Sequence, residues 1–280
     1  MSALVTERSK RRGPFPCPRD ITGLRWLVSV AEGAGEAVIV ACPDSGADRE
    51  RPVGSASGNA FRVDPGTGEV VDIAAEREKK NRDRANRRAK KQLRQYVAKN
   101  RLTRMWTLTY SEITPKQQVK RDVNAFMDEW RILKGGEAFP YAYVLELHAD
   151  GERWHVHVAV PKEYMDKHRL QAAWGHGLVH FDDSRRGTRR GVSEREGARR
   201  LASYLAKYMG KSLGDDRERG EHRYEVAQGF AVRRVSMRFA TLDGAVRWLS
   251  GQDGGGWVLA WMSSDIDQWD GPVTWGYLSG

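Results

Sequence analysis

The stretch that most constrains this chain is Tyr141–Val160, YAYVLELHADGERWHVHVAV, where two alternating apolar runs flank an Asp150-Gly151 pair. Asp-Gly between such runs is a strong hairpin signal, because both residues tolerate the positive φ that a tight turn requires. With that pair at the tip, Glu146 falls opposite His155 and Val144 opposite His157. Side chains alternate faces along a strand. One face therefore collects Tyr143, Leu145, Leu147, Trp154, Val156, Val158 and Val160, which is a core face. The other collects Glu146, His148, His155 and His157. Two imidazoles and a carboxylate are the donors of a 2-His-1-carboxylate site for a divalent metal. The alternative is a solvated strand face on which histidines simply share a side.

Charge is the second constraint. The chain of 280 residues carries 47 Lys+Arg against 37 Asp+Glu, a net +10. Between Glu76 and Arg104 there are 13 cations and 3 anions, an excess equal to that of the whole chain. A block this basic is either a solvated face or a binder of nucleic acid, where neutralised phosphates release counterions. Strong helix formers without Gly or Pro from Ala74 to about Asn100 predict that it is helical. Its candidate DNA contacts are Arg84, Arg87, Arg88, Lys90, Lys91 and Arg94. As a unit of its own it is expected to be removable without loss of the catalytic part. Two cysteines, Cys17 and Cys42, are too few for a disulfide scaffold or a zinc site. No apolar run is long enough for a membrane span and no signal peptide is visible, so a reducing, cytoplasmic setting is expected.

In chain order, residues 1–75 form a region of unknown role, with short strands at Leu24–Val30 and Ala37–Ala41 and a Gly/Ser/Pro/Asp-rich loop at Pro43–Gly68. Met105–Tyr110, MWTLTY, alternates as a half-buried strand with Thr107 and Thr109 on its polar face. Thr114 followed by Pro115 reads as an N-cap with proline at the first helical position. The helix carries Val119, Val123, Phe126, Met127 and Trp130 at helical spacing and stops at Gly135-Gly136. Strand, helix, hairpin and helix in succession predict an α+β fold, an antiparallel sheet flanked by helices. His176 and His180 do not fit the hairpin geometry and read as surface or capping histidines.

Ser193 and Glu196 predict a capping box for SEREGARRLASYLAKYMGKS. On a wheel of 100° per residue, Tyr204, Tyr208, Arg200, Lys207 and Lys211 share one face, and Ala198, Leu201, Ala202, Leu205 and Met209 form an apolar stripe beside it. Two tyrosines thus stand one turn apart among cations. A plain amphipathic helix with tyrosines as packing edges is the bland alternative. Gly210-Lys211-Ser212 is not a P-loop, since Leu205 occupies the position of its first glycine.

MWTLTY (105–110), E-x-H-x-x-G-x-x-x-H-x-H (146–157) and Y-x-x-K-Y-x-x-K (204–211), in this order, resemble the three motifs of HUH endonucleases, which include the replication initiators of rolling-circle plasmids and phages. The doubled tyrosine resembles the two-tyrosine initiators of small single-stranded-DNA phages. RYEVAQGF (223–230) and SSDIDQWDGP (263–272) look like initiators of actinobacterial plasmids and integrated elements. The likeness covers roughly residues 100–275, and the chain lacks the cysteine-rich zinc module that relatives often carry.

The resemblance implies an HUH endonuclease domain over 101–240 with a palm-like sheet, a basic DNA-binding helix over 76–100 before it, and a Trp-rich C-terminal segment, 241–280, packed on it. It implies Tyr204 or Tyr208 as nucleophile, aided by Lys207 and Lys211, with Mg²⁺ or Mn²⁺ held by His155, His157 and Glu146. His148 is the rival third ligand; the resemblance and the direct pairing with His155 favour Glu146. Arg200 joins the candidate DNA contacts. The implied partners are single- and double-stranded DNA at a replication origin, with a host helicase and polymerase. The implied reaction is nicking and rejoining through a 5′-phosphotyrosine intermediate. A transposase or relaxase of a mobile element using the same chemistry, and a non-catalytic nucleic-acid-binding protein, are the alternatives.

Overall fold

The computed structural model describes residues 24–43, 61–63, 66, 68–163, 166–182, 192–211, 222, 224–267 and 272–279. From the N-terminus, β1 (Leu24–Ala31) and β2 (Glu36–Pro43) are joined by a short turn, and β3 (Phe61–Val63) and β4 (Val70–Asp72) form a small hairpin. Helix α1 (Ile73–Lys99) leads into β5 (Leu102–Thr109), and α2 (Lys116–Leu133) into β6 (Ala142–Leu147) and β7 (Trp154–Pro161). Then follow α3 (Lys167–Trp174), β8 (Val179–Asp182), α4 (Glu194–Lys211) and β9 (Glu225–Val226). The remainder is β10 (Arg234–Phe239), α5 (Leu242–Ser250), β11 (Val258–Met262) and β12 (Thr274–Leu278).

The described strands build two antiparallel five-stranded sheets, β8-β5-β7-β6-β9 and β10-β1-β2-β12-β11, beside the small hairpin. The fold is α+β, with a palm-like first sheet flanked by helices. One face of that sheet carries Trp106, Leu108, Tyr143, Val156, Val158 and Val179, buried under Val119, Val123, Phe126 and Trp130 of α2 and Leu170 and Trp174 of α3. The opposite face is apolar only at one end. There Met105, Ala142, Val144 and Ala159 pack against Leu93, Tyr96 and Val97 of α1 and the Ala198–Leu201–Ala202–Leu205–Met209 stripe of α4.

The last two turns of α1 are therefore core, and the basic segment is not a detachable arm. Its exposed cations Arg84, Arg87, Arg88, Lys90 and Lys91 lie away from that buried stripe. Asp72 caps the helix by accepting from the N–H groups of Ala74 and Ala75. Two start signals need correction. Pro115, not Thr114, stands at the N-cap of α2, with ψ of 138°, and the helix begins at Lys116. Ser193 Oγ does accept from the Glu196 N–H at 3.2 Å, but the Glu196 carboxylate binds Arg200 at 3.0 Å. The stretch read as loop holds β3 within it.

The sheets cut across the boundaries drawn from composition. β1 and β2, from the N-terminal region, pair with β10 and β12 near the C-terminus. Trp26, Ile39, Trp257 and Trp275 form their core with Ala245 and Leu249 of α5. Arg199 of α4 fastens this second sheet to the first. Its buried Nη2 donates to the carbonyls of Ala34 (2.9 Å), Gly35 (2.5 Å) and Ser279 (3.0 Å). Gly35, at φ +62°, has no room for a Cβ because the Arg195 and Arg199 side chains fill that space. Residues 223–230, singled out by resemblance, edge the first sheet through β9 and accept from α1, with the Tyr96 hydroxyl donating to the Ala227 carbonyl at 3.1 Å. Cys17 and the basic loop at 183–190 lie outside the described residues.

Removing the Arg199 guanidinium takes a buried, charged donor away from three carbonyls at once. Arg199→Ala should lower unfolding free energy by about 2–4 kcal/mol, whereas its exposed neighbour, in Arg200→Ala, should cost about 0.5 kcal/mol or less. Urea denaturation measures both, and equal effects would contradict the clamp.

Candidate active site

The hairpin has the register its parity dictates: Glu146 pairs with His155 and Val144 with His157. The connection runs from His148 to Arg153 and is held by Asp150 rather than by a two-residue turn. The Asp150 carboxylate accepts from the N–H groups of Glu152 (2.9 Å) and Arg153 (3.1 Å) and from Arg153 Nε (2.7 Å). These donors hold its pKa well below the usual carboxylate range. Gly151, at φ +78°, supplies the reversal.

On the polar part of the sheet face, His157 is almost fully buried, and its Nε2 lies 2.7 Å from Glu146 Oε2. Its Nδ1 lies 3.1 Å from Thr107 Oγ1 on β5. The threonine fixes the ring, and a hydroxyl can accept from Nδ1–H and leave Nε2 as a ligand atom. His155 stands opposite both Glu146 and Thr109. Burial holds His157 below the ordinary imidazole pKa despite the pull of Glu146. Burial, then the neighbouring His148 and His157, does the same to His155. Both rings are thus kept neutral, the form in which imidazole binds a metal.

By residue type, face and protonation, Glu146, His155 and His157 suit a divalent cation. They do not converge as a set of three in this structure: among the described residues no three His, Cys, Asp or Glu side chains form a metal-holding group. Glu146 contacts His157 directly, while the His155 ring is 6.4 Å from the His157 ring. His148 is tied to the turn, with Nδ1 3.0 Å from Asp150 Oδ2, and its ring lies 4.7 Å from that of His155.

Helix α4 brings the tyrosines to this face. Its buried stripe covers the apolar end of the sheet and leaves Tyr204 and Tyr208 half-buried at the border with the polar end. The Tyr208 ring stacks on the His157 ring at 4.0 Å and 22°. The Tyr208 and Tyr204 hydroxyls are hydrogen-bonded to each other. Lys207 Nζ lies 5.9 Å from the centre of the Tyr204 ring, over its face. The Lys211 side chain lies outside the described residues. Arg200 is exposed and bound by Glu196 one turn earlier.

His180 belongs to this face, and the sequence reading misses it. It pairs with Thr107 on β8, which makes a row Val144–His157–Thr107–His180 across the sheet. With Thr107, Thr109, His148, Arg153 and His155 it lines a cleft of about 490 Å³, within the ~300–1,000 Å³ typical of ligand sites. The available signal is Val179 and Phe181 flanking it as inward residues, but nothing in the sequence says that β8 joins β5. His176 stays apart, with its ring against Tyr110 at 5.6 Å.

NMR of metal-free protein should show both His155 and His157 titrating below about 6.5. Glu146→Gln removes the charge favouring imidazolium and should move His157 lower still. Either ring titrating above that value would contradict the site electrostatics.

Residues 103–213 match the family model for replication-associated proteins of the ORF2 type. The match runs from β5 to just past α4 and takes in the sheet face, the hairpin and both tyrosines, while most of α1 and the second sheet lie outside it. Comparison with curated proteins and with solved structures finds no match. The part of the chain that carries the site is similar to replication-associated proteins, which supports a role in DNA replication.

Proposed function

We propose that this chain is a rolling-circle replication initiator that nicks and rejoins single-stranded origin DNA through a tyrosine. The observation that carries this reading is the stacking of Tyr208 on His157, with Tyr204 joined to Tyr208 through its hydroxyl. A non-catalytic binding sheet has no need for two phenols placed against a Glu/His/His face.

In the proposed reaction a tyrosine oxygen attacks the scissile phosphorus. The O–P bond to tyrosine forms as the P–O3′ bond breaks, the phenol loses its proton and the 3′ oxygen gains one. Bond count is conserved, so a later 3′-OH can reverse the exchange without a high-energy cofactor. Tyr204 is the favoured first nucleophile: Tyr208 can donate to its oxygen, and Lys207 lies over its ring. Tyr208 is then placed for a second exchange while the first strand is attached. Glu146, His155 and His157 would hold Mg²⁺ or Mn²⁺, which when bound would polarise a non-bridging phosphate oxygen. Thr107 holds His157 in position for that role. The exposed cations of α1 would contribute sequence-independent affinity. Origin DNA, a host helicase and a polymerase are the partners this function requires.

With a single-stranded origin oligonucleotide and Mn²⁺, the wild type should form an SDS-resistant DNA adduct. Tyr204→Phe and Tyr208→Phe should each retain one cut and lose coupled cut-and-rejoin activity, and the double variant should form no adduct. His155→Ala with His157→Ala should lower cleavage by at least about a hundredfold, as loss of the main electrostatic stabiliser does elsewhere, while DNA binding persists. A wild type that shifts the oligonucleotide without any adduct would mark a binding protein instead.

A further inference from the structure

Beyond the tyrosines, cations line two further clefts that share one residue. Between α1 and α4, a cleft of about 260 Å³ is lined by Lys90, Arg94, Ser203 and Lys207. Between α1 and the second sheet, a groove is lined by Lys91, Arg94, Arg234 and Trp261. Arg94 borders both, and Lys207 borders the first while lying over the Tyr204 ring.

The charge of the groove is unbalanced. Its carboxylate is Glu36, held by Arg94 Nε at 2.5 Å and Gln95 Nε2 at 3.2 Å. Arg234 donates to the neutral Gln95 Oε1 at 2.8 Å. Three cations therefore face one carboxylate. Desolvation, with the Arg94 and Arg234 charges and against the pull of Glu36, lowers the pKa of Lys91. A phosphate here would relieve that crowding. The wall of the groove is aromatic: Trp261, half-buried on β11, lies directly against Gly276 of β12, where any Cβ would overlap the indole. Cations beside an aromatic wall are the combination that binds single strands, through phosphate pairing and base stacking.

We propose that these clefts form one track, from Lys207 through Lys90 and Arg94 to Lys91, Arg234 and Trp261, that holds single-stranded DNA flanking the tyrosines. The track rests on the reading that the site acts on single-stranded DNA. It assigns the second sheet, which lies outside the replication-associated match, a role in holding the strand.

The test uses the full chain carrying Tyr204→Phe and Tyr208→Phe, so that binding is read without chemistry, and fluorescein-labelled dT24 as probe. Lys91→Gln and Arg234→Gln should each weaken binding and reduce the slope of log K against log salt by about 0.7, the single-strand value per phosphate contact. Trp261→Ala should weaken binding roughly tenfold, with Trp261→Phe restoring most of it. Bromodeoxyuridine-substituted dT24 should photo-cross-link to the peptide containing Trp261. Unchanged salt slopes in both cation variants, or cross-links that avoid Trp261, would overturn the track. Blunt duplex displacing the cross-linked strand at equal concentration would overturn it in favour of a duplex site. Adduct formation by the wild type is a separate readout, so failure of the nicking chemistry and failure of the track are distinguishable.

Discussion

The structure depends on one sheet face that changes character halfway along. Met105, Ala142, Val144 and Ala159 make one end apolar, and Thr107, Thr109, Glu146, His155 and His157 make the other polar. Burial of apolar surface drives α1 and α4 onto the first end, at roughly 25 cal/mol per Å² removed from water. The same drive stops at the polar end, because covering a carboxylate and imidazoles without partners is costly. Tyr204 and Tyr208 sit where coverage stops. Packing and site placement are thus a single consequence of residue order along three strands.

The electrostatics follow from that border. His157 is buried yet satisfied on both ring nitrogens, by Thr107 and Glu146. It is therefore rigid, and Tyr208 can stack on it. Cations are placed elsewhere: on the exposed side of α1, at Lys207 and around Glu36. Arg199 keeps that distribution in register by tying α4 to the β1–β2 turn and the C-terminal strand.

Much of this is legible in the sequence, because period-2 and period-3.6 patterns carry it. Asp150-Gly151 and the alternation around it specify the hairpin register, and the wheel of α4 specifies its buried stripe. Other parts are not legible. The pairing of β1 and β2 with β10 and β12 joins segments nearly 200 residues apart, and no local pattern encodes it. The basic run hides the burial of Leu93, Tyr96 and Val97, since charge dominates its composition while three apolar residues fix its position. His180 escapes notice because its strand partner β5 is far along the chain. Pro115 displaces the expected cap, since its ψ keeps it extended and defers the first helical residue to Lys116.

The central claim is that the phenols on α4 act at the Glu146/His155/His157 face, and peptide mapping of the DNA adduct tests it most directly. Trypsin separates the two tyrosines, because cleavage after Arg200, Lys207 and Lys211 places Tyr204 in residues 201–207 and Tyr208 in residues 208–211. Mass spectrometry of the digested adduct should find a nucleotide phosphate on one or both of these peptides. Attachment to any other peptide would contradict the account.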